Sequence, residues 1–97
     1  MEKICSHEQV SKIITSDPVR PHIDAETRLA PGRDVFHIDD MAYLCMAYLD
    51  RVPADEDCLL SANCGSVAVA YTVWSLEKGY GRKIIMAARD MIQETWR

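Results

Sequence analysis

The hydrophobic pattern changes its period once, within the last third of the sequence. Val67–Trp74 alternates with a period of two residues, which is typical of a β-strand. From Ile84 onward, apolar residues recur three and four positions apart, which is typical of an amphipathic helix. The basic, glycine-containing segment LEKGYGRK at 76–83 joins the two. This order predicts a strand whose end turns directly into a helix that lies across it.

Alternation and helical spacing also predict which side chains share a face. One face of the strand should carry Val67, Val69, Tyr71 and Val73, and the other Ala68, Ala70, Thr72 and Trp74. The apolar stripe of the tail helix should consist of Ile84, Ile85, Ala88, Met91, Ile92 and Trp96. The side chains predicted to face away from that stripe are Arg89, Asp90, Gln93 and Glu94.

The N-terminal third predicts one helix followed by a loop. Ser6 and Gln9 have the spacing of a capping box, so a short helix is expected to follow Ser6. Asp17-Pro18 stops it, because the residue before a proline avoids the helical region. The segment 18–33 has three prolines, a glycine and no apolar periodicity, so it is predicted to be a loop or a broken helix.

The middle of the chain leaves two alternatives open. Asp39 or Asp40 would cap a helix over Met41–Leu49, whose methionine, alanine and leucine content favours helix. Alternatively, Val35–Ile38 and Met41–Leu49 are strands, and the second is apolar on both faces and therefore central in a sheet. The acidic segment Pro53–Cys58 is predicted to be a solvated hairpin tip between strands.

Length and composition predict one folded domain that spans residues 1–97. A chain of 97 residues is too short for two cores, and a hydrophobic content of 48% excludes a disordered chain. The formal charge of −4 repels nucleic acid, so nucleic acid is not the expected partner. The longest apolar run is far shorter than the ~20 residues that cross a membrane. No signal-peptide pattern opens the chain, so we expect no membrane partner and a cytoplasmic protein.

The cysteines and histidines predict no metal site. No two of the four cysteines have the two-residue spacing of a zinc knuckle. Cys58, Cys64 and His37 together are a conceivable zinc set, but reduced thiols packed in the fold are the commoner case. Among candidate general bases are His7, His22 and His37, together with Asp39 and Asp40. The sequence indicates no partner for any of them, so the catalytic residues stay unknown.

The segment 78–83 has residue types that suit the binding of an anion. The first turn of a helix has free N–H groups and the positive end of the helix dipole, and both attract an anion. Gly79 and Gly81 would let a large anion approach the main chain closely, and Lys78, Arg82 and Lys83 add full positive charges. A phosphate group is therefore the predicted ligand chemistry, against the simpler alternative of a turn with a solvated basic surface.

These residues resemble part of the GNAT superfamily of N-acetyltransferases. The run Tyr71–Trp74, the loop 78–83 and the helix IIMAARDMIQETW are similar to the family's fourth strand, pyrophosphate loop and following helix. The layout is most similar to small GNAT-like proteins of bacteriophages, among them an internal virion protein. The resemblance implies an α+β fold with a mostly antiparallel sheet and flanking helices. It also implies that residues 1–5, 41–49, 58–62 and 67–74 are strands.

The resemblance assigns a cofactor site as well. The strand Val67–Trp74 would pair with the pantetheine arm of acetyl-CoA, and N–H groups around Val73 and Trp74 would orient the thioester carbonyl. The diphosphate would be held by Lys78, Gly79, Tyr80, Gly81, Arg82 and Lys83.

Two departures from the family pattern decide the predicted function. Leu76 stands where the family's loop motif has glutamine or arginine, and the sequence ends before the fifth strand that forms the other cleft wall. We therefore expect a partial GNAT-like fold without a complete catalytic site. The predicted function is binding to a protein partner or self-association, as a virion component or a host-directed inhibitor in the host cytoplasm. The alternative is an acyl-CoA-dependent, degenerate N-acetyltransferase with acetyl-CoA as cofactor.

Overall fold

The computed structural model describes residues 1–61 and 64–95, with the main chain alone for 93–95. It confirms the expected α+β class: four strands form one antiparallel sheet in the order β1-β2-β3-β4, with helices on both faces. The strands are β1 (Glu2–Ile4), β2 (Arg33–Ile38), β3 (Ala42–Leu49) and β4 (Val67–Ser75). The helices are α1 (His7–Ile14), α2 (Ala25–Arg28), α3 (Glu56–Ser61) and α4 (Tyr80–Thr95).

Strand β3 lies at the centre of the sheet and has a hydrophobic core on each face. Tyr43 and Cys45 face the core that α1, α2 and α3 cover, and Leu44 and Met46 face the core that α4 covers. A strand buried on both faces has a continuous apolar sequence, because its alternate side chains enter different cores. The strand alternative for this segment is therefore confirmed, and the helix alternative is wrong.

The turn between β2 and β3 explains why no helix begins there. Asp39 and Asp40 have φ angles of 53° and 54°, in the left-handed region that aspartate tolerates better than most residues. The Met41 N–H donates to the Ile38 carbonyl oxygen at 2.9 Å and closes the turn. The two aspartates therefore reverse the chain, and neither acts as the predicted helix cap.

Helix α1 begins where the sequence predicts. Ser6 is its N-cap and accepts a hydrogen bond from the Gln9 N–H at 3.3 Å. The segment that follows contains one short helix, α2, whose N-cap Asp24 accepts from the Thr27 N–H at 2.9 Å. The predicted broken helix is thus present as a single capped turn between two stretches of loop.

Residues 58–61, which the resemblance implies to be strand, are helical, and Pro53–Cys58 is not a hairpin tip. Helix α3 occupies Glu56–Ser61, and Ala62 lies outside the described residues. Asp55 accepts a hydrogen bond from the Cys58 N–H at 2.8 Å, as an N-cap does, and acidic residues in the first turn complement the helix dipole. Leu59 then enters the core. The acidic run therefore starts a helix, because carboxylates favour helix N-termini as well as turns.

A β-bulge in β4 changes the predicted faces of that strand. The pairing register shifts between Cys45 and Met46, so Tyr71 and Thr72 both lie opposite Cys45. Tyr71 and Trp74 consequently share one core, and Val73 faces the other. The predicted alternation holds up to Tyr71 and is wrong beyond it, because the extra residue inverts the two faces.

Helix α4 packs on the sheet through most of its predicted stripe. Ile84 and Ala88 are buried against the sheet, and Met91 and Ile92 pack beside them. Ile85 is 53% exposed, so its assignment to the buried stripe is wrong. Trp96 lies outside the described residues, as do the side chains of Gln93 and Glu94.

Candidate functional site

The end of β4, the turn at 76–79 and the start of α4 together contain every residue predicted to bind a cofactor. Gly79 has a φ of 90°, which favours glycine, and α4 begins at the next residue. A Cβ on Gly81 would lie 3.4 Å from the Ser75 Oγ, so this side of the helix faces the end of β4. Ile85, one turn further along α4, lies on the same side.

The main chain of Val73 faces outward from the sheet. The Leu76 N–H donates to the Met41 carbonyl oxygen at 2.7 Å, so the main chain at residue 76 faces β3. Residues of an antiparallel strand alternate in direction, so Trp74 also faces β3, whereas Val73 and Ser75 face away. Of the two residues predicted to orient a thioester carbonyl, Val73 alone has its N–H at the outer edge.

Trp74 is a core residue. Its ring centroid lies 5.2 Å from that of Tyr43, and its indole Nε1 donates to the Ser16 Oγ at 2.9 Å. The Arg28 guanidinium lies 5.7 Å from the Trp74 ring centroid. These contacts tie β4 to the segment after α1 and to α2, so the side chain of Trp74 holds the strand in place from the core side.

The three cations of the predicted site are exposed at the start of α4. Lys78 lies in the turn, and Arg82 and Lys83 lie in the first turn of the helix. The Lys83 Nζ lies 4.4 Å from the centroid of the Tyr80 ring. The structure thus brings the predicted cations together at a helix N-terminus, on a chain whose formal charge is −4.

A second polar cluster lies at the same edge of the sheet. The Arg20 Nε donates to the Tyr71 carbonyl oxygen at 2.9 Å, at the bulge. Arg20 Nη1 lies 3.0 Å from the Glu56 Oε1, and His22 Nε2 lies 2.6 Å from the same oxygen. The hydrogen bond from His22, with a contribution from Arg20, lowers the pKa of Glu56. We call Arg20, His22 and Glu56 the edge cluster.

The edge cluster borders a cavity of about 290 Å³ beside β4. One wall is the strand at Val69–Tyr71, and the other is the loop at 53–55 with the start of α3. Arg20 pairs with Glu56 at this end of the edge, so Asp55 leaves it with a net negative charge, whereas Lys78, Arg82 and Lys83 make the other end positive. The outer edge of β4 therefore runs from an acidic end to a basic one.

A buried ion pair holds the loop that carries Arg20 and His22. Arg28 has no exposed surface, and its Nη1 lies 3.0 Å from the Asp17 Oδ2. Burial opposes the ionisation of Asp17, but hydrogen bonds from the Val19 and Arg20 N–H groups, Arg28 and Thr72 outweigh burial and lower its pKa. Arg28 also donates to the main-chain carbonyl of Arg20 at 2.6 Å, which fixes the position of the edge cluster.

The remaining candidates lie apart from this edge. His7 is exposed at the start of α1, and His37 is held between Glu2 and Asp40 at the opposite side of the sheet. Cys45 is fully buried, and burial raises the pKa of its thiol. In the described ranges, the His, Cys, Asp and Glu side chains form no group of three or more arranged to hold a metal. No helix within residues 1–61 and 64–95 combines the length and apolarity that crossing a membrane requires.

Sequence reasoning missed the edge cluster because its members are far apart in the chain. Arg20 and Glu56 are separated by 36 positions, and His22 and Glu56 by 34. The sequence indicates no partner for His22 as a candidate base, whereas in the fold its ring is hydrogen-bonded to Glu56. The one local signal was Asp55 as an N-cap, which would have placed Glu56 in the first turn of a helix.

Comparisons with known proteins do not assign this chain to a family. The sequence matches no protein-family model, and neither a search of curated proteins nor a search of solved structures finds a match.

Proposed function

We propose that this protein is a small GNAT-like domain that acts by binding protein, with the outer edge of β4 as its binding surface. The order of elements supports the kinship in part: a strand, two helices, two strands, the short helix α3, a strand and a long helix follow one another, and α3 stands where the resemblance implies a strand. The phage-type resemblance suggests a virion component or a host-directed inhibitor, present in the virion or in the host cytoplasm.

The observation that carries this proposal is the contrast between the two edges of the sheet. β1 has three residues, two of them charged, which is how natural sheets discourage pairing at an edge. β4 has nine residues, VAVAYTVWS, with neither charge nor proline. Among the described strands, only β3 lies beside β4. An edge of this kind is a template for another strand, and Leu76 and Ile85 expose apolar surface next to it.

The experiment is a thermal unfolding scan with 1 mM coenzyme A. Protein binding at the β4 edge predicts an unchanged Tm, because coenzyme A then has no site on the native state. A ligand at about one hundred times its Kd adds about 2.7 kcal/mol, which raises the Tm of a domain this size by about 10 °C or more. The proposal is refuted if the Tm rises by that amount and the Gly81→Trp substitution at the start of α4 abolishes the rise.

Acyl-CoA-dependent N-acetyl transfer is the second candidate function. It is favoured by one observation: the outward N–H of Val73 lies two residues before the turn that carries Lys78 and Gly79. Acetyl-CoA would present its thioester carbonyl to that N–H and its diphosphate to Arg82 and Lys83. This function predicts the rise in Tm that protein binding excludes, so one scan separates the two candidates.

A further inference from the structure

We infer that the outer edge of β4 binds the same edge of a second copy of this chain, in an antiparallel pair about a two-fold axis at Trp74. This inference rests on the proposed protein-binding role of β4 and names the partner. An isologous pair of this kind joins two four-stranded sheets into one continuous sheet.

The register follows from which main-chain groups are free. The Arg20 guanidinium already occupies the Tyr71 carbonyl oxygen, so pairing that uses Tyr71 would have to displace it. Val73 and Ser75 face outward within the strand beyond that point. If Val73 pairs with Ser75 of the second copy, and Ser75 with its Val73, four main-chain hydrogen bonds form and Trp74 lies on the axis.

Charge selects a second copy over an unrelated strand. In this register the turn that carries Lys78 lies toward the end of the second copy's β4 where Asp55 borders the cavity. An edge with one acidic and one basic end complements itself only when the two strands run antiparallel, and the two-fold axis repeats each attraction.

The apolar side chains beside the edge fit the same arrangement. Leu76 is 55% exposed, and Ile85 is exposed on the side of α4 that faces the end of β4. Leu76 lies two residues beyond Trp74, so pairing places it beside β4 of the second copy. Removing this surface from water adds to the main-chain hydrogen bonds.

The test is sedimentation equilibrium of the full chain, supported by variants that act on the edge alone. The expected mass at 100 μM is twice the 11.0 kDa of one chain. Val73→Pro removes the outward N–H without removing a bond to β3, so it should yield a folded monomer, with Val73→Ala as the dimeric control. Lys78→Glu should weaken the dimer about tenfold, whereas Lys12→Glu on α1 changes the net charge equally and should weaken it less than twofold.

Hydrogen exchange keeps the inference falsifiable if Val73→Pro does not fold. The Val73 amide of the unmodified chain should exchange at least tenfold more slowly at 500 μM than at 5 μM, because pairing protects it. A monomer at 500 μM whose Val73 amide exchanges freely overturns the second-copy inference. That result leaves the proposed protein-binding function standing, because the coenzyme A scan tests it separately.

Discussion

Replacing Arg28 with methionine should lower the free energy of unfolding by about 3–5 kcal/mol, because it leaves Asp17 buried without its counter-charge. Arg28 is fully buried, and its guanidinium donates to the Asp17 carboxylate at 3.0 Å and to the Ile23 carbonyl oxygen at 2.8 Å. Methionine fills similar space but donates no hydrogen bond. The loss is large for a domain of 97 residues, whose whole stability is about 5–15 kcal/mol.

Urea unfolding monitored by circular dichroism measures this loss, and its pH dependence identifies the cause. Hydrogen bonds and Arg28 lower the folded-state pKa of Asp17, so the stability it contributes is present above the unfolded value of about 3.9. That contribution disappears as the pH falls through the lowered folded-state pKa. The Arg28→Met variant loses less of this stability on acidification. The difference in free energy of unfolding between the unmodified chain and the variant should therefore narrow below about pH 4.

A double variant provides the control. Arg28→Met with Asp17→Asn removes both charges, so it should be less destabilised than the sum of the two single variants. Thr72 and the Val19 N–H remain to bond the asparagine side chain. A loss below about 1 kcal/mol for Arg28→Met, or a gap that stays constant from pH 7 to pH 3, would refute the role given to this ion pair.

Two further predictions concern the cysteines and the glycines of the turn before α4. With a thiol reagent at neutral pH, Cys45 should react only when the protein unfolds, because burial keeps its thiol protonated and inaccessible. The other three cysteines should react in the native protein. Rapid labelling of all four cysteines would contradict the burial of Cys45. Gly79→Ala should lower stability by about 1–2 kcal/mol, because its φ of 90° strains any residue with a Cβ. Gly81→Ala should be neutral or stabilising by up to about 1 kcal/mol, since its Cβ would meet only the Ser75 side chain; equal effects of the two substitutions in urea unfolding would be inconsistent with the turn.

The sequence predicted those parts of the fold that depend on near neighbours. The Ser6 cap, the strand Val67–Trp74 and the helix after Gly79 depend on periodicity and on contacts three or four residues apart. The same local rules were ambiguous at Met41–Leu49, because a strand with a core on each face has the pattern of a buried helix. They were wrong at Pro53–Cys58, where Asp55 caps a helix.

Periodicity also misplaced side chains wherever one residue changed the geometry. The extra residue at Tyr71 inverts the faces of β4, so Val73 and Tyr71 enter different cores although they lie two positions apart. Ile85 has the spacing of a core residue, yet it lies at the side of α4 where, among the described strands, the sheet ends. Neither effect is visible from spacing, because each depends on what packs opposite.

By itself, the sequence determined a strand, a basic turn and a helix in succession, and with them the place where Lys78, Arg82 and Lys83 meet. The tertiary structure alone decided that Arg20, which is 36 positions from Glu56, joins it at the bulge of β4. The reason is physical: helical and strand periods are fixed by neighbours along the chain, whereas an edge and its charges arise only when distant segments pack together.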